Sequence, residues 1–252
     1  MVMPGDYAVL APVYNQIGMS NFASNVVPRL IEFAQRHDWA GRRIVELGFG
    51  TGATAKYLSR IGPVVGVDES VDMLRVAQEG IQQEGLNVRL VQQDIRSLSG
   101  IDSMDIALAI NVMNELNSLS DLEAVFKSVR NVLGANRLLI FDIQTIEGLA
   151  QNAQARDRLV YDNVEQLTVF TRSEYDHERQ AQSNDYIIFH AQDGAWARSQ
   201  AKVVLRAFPV QAVAALLQRS GYSVSYVLGT GLEPYEVGVS RAPRVYFYAR
   251  KA

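Results

Sequence analysis

The chain has 252 residues, 24 Lys and Arg against 27 Asp and Glu, 48% hydrophobic residues and no cysteine. That size and apolar share exclude disorder and collagen-like repeats, and the missing cysteine excludes disulfides, thiolate nucleophiles and Cys-ligated zinc or iron–sulfur clusters. A net charge of −3 with scattered basic residues, no apolar run near the ~20 residues of a membrane span, and an opening without signal-peptide features predict a cytoplasmic protein with neither nucleic-acid nor membrane partners.

Helical spacing comes first, over 21–36. From 43 to 143 short β-branched runs then alternate with helical periodicity, the pattern of parallel strands joined by crossover helices. Strands are predicted at 43–47, 63–68, 88–94, 104–111 and 136–143, with helices at 53–60, 71–84 and 122–133. Ser70 is placed to cap the second of these, whose apolar stripe is Met73, Leu74, Ala77 and Ile81. A helix over 146–156 leads into period-two runs at 160–161, 166–172, 185–191 and 202–208, separated by the turn-rich SEYDHERQAQSND and QDGAW. Pro209 opens a further helix that Gly221 stops, and strands at 223–228 and 244–248 close the chain. The fold class is therefore α/β, with a doubly wound, mostly parallel seven-stranded sheet. The expected division is an N-terminal helical cap over 1–40, an α/β core over 41–157 and 207–252, and an antiparallel β-insert over 158–206.

The segment Glu46-Leu47-Gly48-Phe49-Gly50-Thr51-Gly52 follows a buried strand and opens a helix. Glycines there allow positive φ or close approach of a ligand, and the helix start offers free N–H groups. Asp68 ends the next strand, where a carboxylate can accept from both hydroxyls of a ribose, so loop and acid together predict a nucleoside site. Read as Gly48-x-Gly50-x-x-Ala53 the loop fits a dinucleotide fingerprint, and an NAD(P)-dependent oxidoreductase is the alternative it leaves open.

Read as Glu46-x-Gly48-x-Gly50-x-Gly52 it resembles motif I of the class I S-adenosylmethionine-dependent methyltransferases, and the resemblance continues along the chain in order. By that resemblance Asp68, with Glu69 beside it, is the ribose-binding acid and Met73 packs on adenine. Asp94 accepts from the exocyclic amine, Ile95 covers the ring, and Asn111 in Asn111-Val112-Met113-Asn114 lies in the segment beside the methyl donor. The opening Asp6-Tyr7 to Tyr14-Asn15 is similar to that of small-molecule methyltransferases of the amino-sugar and glycine N-methyltransferase type, which implies that Tyr7 and Tyr14 contact the methionine end. Asn15 departs from the acid usual there. Phe49, within the loop, completes the implied cofactor set.

The same subgroup carries a β-insert that closes the acceptor pocket, which implicates Tyr161, Tyr175, His177, Arg179, Tyr186, His190, Trp196 and Arg206 in substrate choice. Methyl transfer from a sulfonium needs alignment, water exclusion and a deprotonated acceptor, so no conspicuous catalytic constellation is required. The sequence contains none. His177, His190 or Glu115 could serve as a base, while Asn114, Asn117 and Arg206 could hold the acceptor. His37, His177 and His190 are too far apart in the chain for metal-ligand spacing, so no metal is expected. NVMNEL at the fourth strand lacks the Pro-Pro-aromatic motif of nucleic-acid enzymes, which favours a small-molecule acceptor methylated on nitrogen or oxygen. A non-catalytic S-adenosylmethionine-binding protein is a further reading, and either a monomer or a homodimer is compatible with the chain.

Overall fold

The computed structural model describes residues 7–37, 39 and 41–252. Residues 1–6, 38 and 40 of the expected N-terminal cap, Asp6 of the tyrosine-bearing opening among them, lie outside the described residues.

The element order is α1 (Tyr7–Leu10), α2 (Asn21–Arg36), β1 (Ile44–Leu47), α3 (Ala55–Leu58), β2 (Val64–Asp68), α4 (Val71–Glu84), β3 (Val88–Gln92), β4 (Met104–Ala109), α5 (Leu119–Val132) and β5 (Leu133–Gln144). It continues with α6 (Ile146–Asn152), β6 (Asp157–Asn163), β7 (Leu167–Asp176), β8 (Ala181–Gln192), β9 (Ala195–Arg206), α7 (Val210–Arg219), β10 (Tyr222–Leu228) and β11 (Arg244–Lys251). Seven strands form one sheet in the order β10-β11-β5-β4-β1-β2-β3, with β11 antiparallel to both neighbours and the rest of the pairs parallel. The strands β6-β7-β8-β9 form a second, wholly antiparallel sheet.

Every residue of β1 and β4 is buried, because helices cover both faces of the main sheet. Residues of α2, α3 and α4 pack on one face, and those of α5 and α7 on the other. Each fully buried aliphatic side chain contributes roughly 1.5–3 kcal/mol, so this double layer supplies the rigid frame. Neighbouring strands β1 and β4 run parallel, but the chain leaves β1 toward β2 and reaches β4 from the far side of β3. Such a reversal of strand order opens a crevice beyond the strand C-termini, and the glycine loop after β1 and the tail after β4 are its two lips.

Several boundaries differ from the sequence expectation: α3 (Ala55–Leu58) and α6 (Ile146–Asn152) are shorter, β5 (Leu133–Gln144) and β11 (Arg244–Lys251) are longer, and three further differences have identifiable reasons. Helix α5 starts at Leu119 instead of 122, because the Ser118 side chain accepts from the Asp121 N–H at 3.1 Å and caps it earlier. Strand β4 stops at Ala109, two residues before 111, and Asn111 has φ 63°, a left-handed backbone no strand can hold. The second sheet has much longer strands than expected. Its polar residues Ser173, Gln182 and Asn184 are buried, and Ser173 Oγ and Gln182 Nε2 both donate to Asn184 Oδ1, at 2.7 and 2.8 Å. Mutual hydrogen bonding lets residues typical of turns line the inside of a strand. The true turn between β8 and β9 is the pair Asp193-Gly194, both at positive φ as a two-residue hairpin loop requires.

Candidate active site

At the C-terminal edge of the main sheet the crevice widens into a cavity of about 460 Å³, a volume within the range of small-molecule sites. Of the residues expected to hold a cofactor, Tyr7, Tyr14, Gly48, Gly50, Asp68, Glu69, Met73, Asp94, Ile95 and Asn111 line it. Glu46, Phe49 and Gly52 do not. The Phe49 ring turns under the loop onto Gly66, whose lack of a Cβ makes room for it. The Glu46 carboxylate lies beneath the loop and accepts from Thr54 Oγ1, where burial pushes its pKa up to about 7. These residues build the loop that faces the cavity.

Gly50 has φ 56° and open space where a side chain would stand, so its backbone faces the cavity bare. Its N–H donates to Asp68 Oδ2 at 2.8 Å, and the Ser70 N–H donates to Oδ1 at 2.9 Å. Those two bonds fix the carboxylate at the end of β2 and leave lone pairs on both oxygens for a ligand. Burial raises the Asp68 pKa while the backbone donors oppose the rise. Ser70 caps α4 by accepting from Met73 N–H at 3.3 Å, and Met73 belongs both to the helix's buried stripe and to the cavity wall. Asp94 is held by Arg96, whose Nη2 donates to Oδ2 at 2.7 Å and which holds its pKa below the usual carboxylate range.

The other end of the cavity carries the most reactive arrangement. Glu115, in the 3₁₀ turn Met113–Glu115 after β4, accepts from Tyr7 Oη at 2.6 Å through Oε1. Its second oxygen has no hydrogen-bond partner among the described residues. Burial pushes its pKa up to about 7, with the Tyr7 hydrogen bond working against the rise and Asp68 and Glu69 adding to it. Tyr7 and Tyr14 stand with ring centroids 6.4 Å apart, and burial raises both phenols. Tyr186, from the second sheet, is close enough to Glu115 and Tyr7 to share their field. Val204 of β9 and Leu116 complete this end, together with Asn117.

None of the other residues considered for catalysis, His177, His190, Asn114 and Arg206, lines the cavity. His177 lies exposed after the end of β7, its ring 4.9 Å from that of Tyr175, and His190 pairs within the second sheet opposite Leu167 and Ala197. The Asn114 side chain is consumed as a clamp. Its Nδ2 donates to the carbonyls of Gln144 at 3.0 Å and Arg206 at 2.7 Å, and its Oδ1 accepts from the Gln144 N–H at 2.8 Å. It thus ties the end of β9 to the core one residue before Glu115. Arg206 takes part through that carbonyl. Among residues suggested for substrate choice, Tyr161 accepts from Gln16 at 3.2 Å, Trp196 is exposed, and Arg179 pairs with Asp176 in the turn after β7. Sequence reasoning passed over Arg96 and Val204 as cavity residues. The basic residue two places after Asp94 is a readable sign of the first, and only the sheet pairing brings in the second. Among the described residues no group of His, Asp and Glu could hold a metal ion.

Residues 44–136 match the family model described as a methyltransferase domain. The chain is 27% identical over 215 residues to the protein named "Putative methyltransferase YqeM" of Bacillus subtilis (strain 168), with 83% of this chain and 84% of that one covered. Its fold is similar to that of a solved S-adenosylmethionine-dependent methyltransferase of Clostridium acetobutylicum, with a TM-score of 0.78 at 21% identity over 97% of this chain and 98% of the other. It is also similar to the amino pentose methyltransferase CalS10 of Micromonospora echinaspora, with a TM-score of 0.69 at 17% identity over 97% of each chain.

Proposed function

We propose that the chain is a methyltransferase of the class I fold, with S-adenosylmethionine as its methyl donor and the nitrogen of a small-molecule amine as its acceptor. The cavity's donor set fits that cofactor. Asp68 keeps lone pairs for ribose hydroxyls, Met73 and Ile95 offer apolar surface for a flat base, and Gly50 leaves room beside the loop. Asp68, Glu69, Asp94 and Glu115 face the cavity, and the one cationic lining residue among the described residues, Arg96, already grips Asp94 and Asp121. This unbalanced negative charge favours cationic ligands, such as a sulfonium and an ammonium.

Glu115 is the observation that carries the amine reading. An amine arrives as an ammonium, which has no lone pair to give. At neutral pH a carboxylate poised near 7 is matched to accept its proton. S-adenosylmethionine, when bound, supplies an electrophilic methyl group. Glu115 would take one N–H proton from the ammonium and hand it on to solvent, leaving the nitrogen lone pair free to accept the methyl group that the donor would supply. Tyr7 holds the carboxylate in place by its 2.6 Å hydrogen bond, and Tyr14 and Val204 help keep water from the reacting atoms. The likeness to CalS10, an amino pentose methyltransferase, supports the same class of acceptor.

Label from S-adenosylmethionine, followed over panels of primary and secondary amines, phenols and carboxylic acids, tests this. Label is expected on amine nitrogen, at a rate rising with pH through about 7 as Glu115 ionises. Turnover of phenols or carboxylic acids alone would contradict it.

A further inference from the structure

The wall formed by the tail of β4 is held from behind by an ion pair that lies outside the cavity. Asp142 of β5 is fully buried, and its Oδ2 is paired with Arg244 Nη1 of β11, itself 13% exposed and stacked over the Phe22 ring at 4.1 Å. Both charged groups converge on Asn111. The Asn111 N–H donates to Asp142 Oδ1 at 2.7 Å, and Arg244 Nη1 donates to Asn111 Oδ1 at 2.7 Å. The backbone and the side chain of one residue are thereby pinned by the two halves of one ion pair, and that residue holds φ 63°. Asn tolerates this region better than most residues with a side chain, but its neighbours must fix it there. Asn111 lines the cavity, and the clamp leaves its carbonyl and its side-chain Nδ2 uncommitted. The glycine loop abuts the same tail, since a Cβ on Gly48 would come within 2.3 Å of Val112 Cγ2.

We propose that Arg244 and Asp142 are positioning residues for the cofactor, holding Asn111 so that the β4 tail presents its main chain to the amino-acid end of the ligand. A buried ion pair whose two halves each bond Asn111 suits this task because it has one geometry, where flexible surface charges would have many. The inference rests on the cavity being an S-adenosylmethionine site.

Calorimetric titration of the full chain with S-adenosylhomocysteine and with 5′-methylthioadenosine, which lacks the amino-acid carbons, tests it. Asn111→Gly keeps the positive φ and the bond to Asp142 but frees the residue from Arg244, while Arg244→Gln removes the clamp. Each variant is expected to weaken S-adenosylhomocysteine about tenfold or more and 5′-methylthioadenosine less than about twofold, and the double variant no further than the weaker single. Unchanged affinity for S-adenosylhomocysteine, equal losses for both ligands, or losses that multiply in the double variant would overturn it. Should Arg244→Gln fail to fold by circular dichroism, the ratio of the two ligands in Asn111→Gly alone decides. A parent chain that binds neither ligand refutes the functional reading itself, whereas a parent that binds and variants that bind equally well refute only the clamp.

Discussion

Glu46 and Glu115 stand behind the two lips of the same crevice, and burial pushes both carboxyl groups to a pKa of about 7. They differ in what they can reach. Glu46 is 4% exposed in the middle of β1 and gives its oxygen to Thr54, closing off the floor of the glycine loop. Glu115 is held on one oxygen by Tyr7 and turns the other edge toward the cavity. A shifted carboxyl group therefore does not by itself make a base, because desolvation acts on a structural group and on a reactive one alike. Access to a ligand separates them.

The largest expected effect is on Glu115. Glu115→Gln keeps the shape and the Tyr7 contact but cannot take a proton, so the methylation rate should fall by roughly 10²–10⁴ and the limb of the pH–rate profile near 7 should vanish. A variant with parental rate and profile would make Glu115 as structural as Glu46. Next comes Asp68→Ala, which removes the hydrogen bonds to the ribose and should weaken S-adenosylhomocysteine by about 1.5–3 kcal/mol in a calorimetric titration.

Glu46→Gln sharpens the contrast from the other side. Its raised pKa means that the folded chain binds a proton more tightly than the unfolded one. The stabilisation from this group is therefore full below the unfolded value of about 4.5 and is lost as pH rises through about 7. Gln removes that loss. Thermal melts should place the variant above the parent at pH 8 by an amount on the order of 1–3 kcal/mol, with the advantage shrinking toward pH 4.5, while the rate of the variant stays within a few-fold of the parent. A variant that loses activity as Glu115→Gln does would dissolve the distinction. The smallest effect belongs to His177→Ala in the exposed turn after β7, where rate and stability are expected to match the parent within about twofold and about 0.5 kcal/mol.

The ligand-facing loops of the core were legible because each is written in one stretch of chain. Glycines at a strand end and an acid twenty places on fix their own geometry through local bonds, such as Gly50 N–H to Asp68. The amine end was much less legible. Tyr7, Glu115, Tyr186 and Val204 come from four distant parts of the chain, and no periodicity predicts that they meet. Residue chemistry alone drew attention to the histidines, yet neither His177, in the turn after β7, nor His190, in β8, lines the cavity. Asn114 attracted attention for its place after β4, and the structure uses up its amide in joining that tail to Gln144 and Arg206. The polar strands β7 and β8 concealed their length because Ser173 and Gln182 both donate to Asn184 inside the sheet.

The central claim, that one end of this cavity holds the methyl donor and the other end takes a proton from the acceptor, is tested most directly by titrating S-adenosylhomocysteine into the parent, Asp68→Ala and Glu115→Gln side by side. The account predicts binding by the parent, at least about tenfold weaker binding by Asp68→Ala, and parental affinity in Glu115→Gln. Parental affinity in Asp68→Ala, or a loss shared equally by both variants, would contradict it.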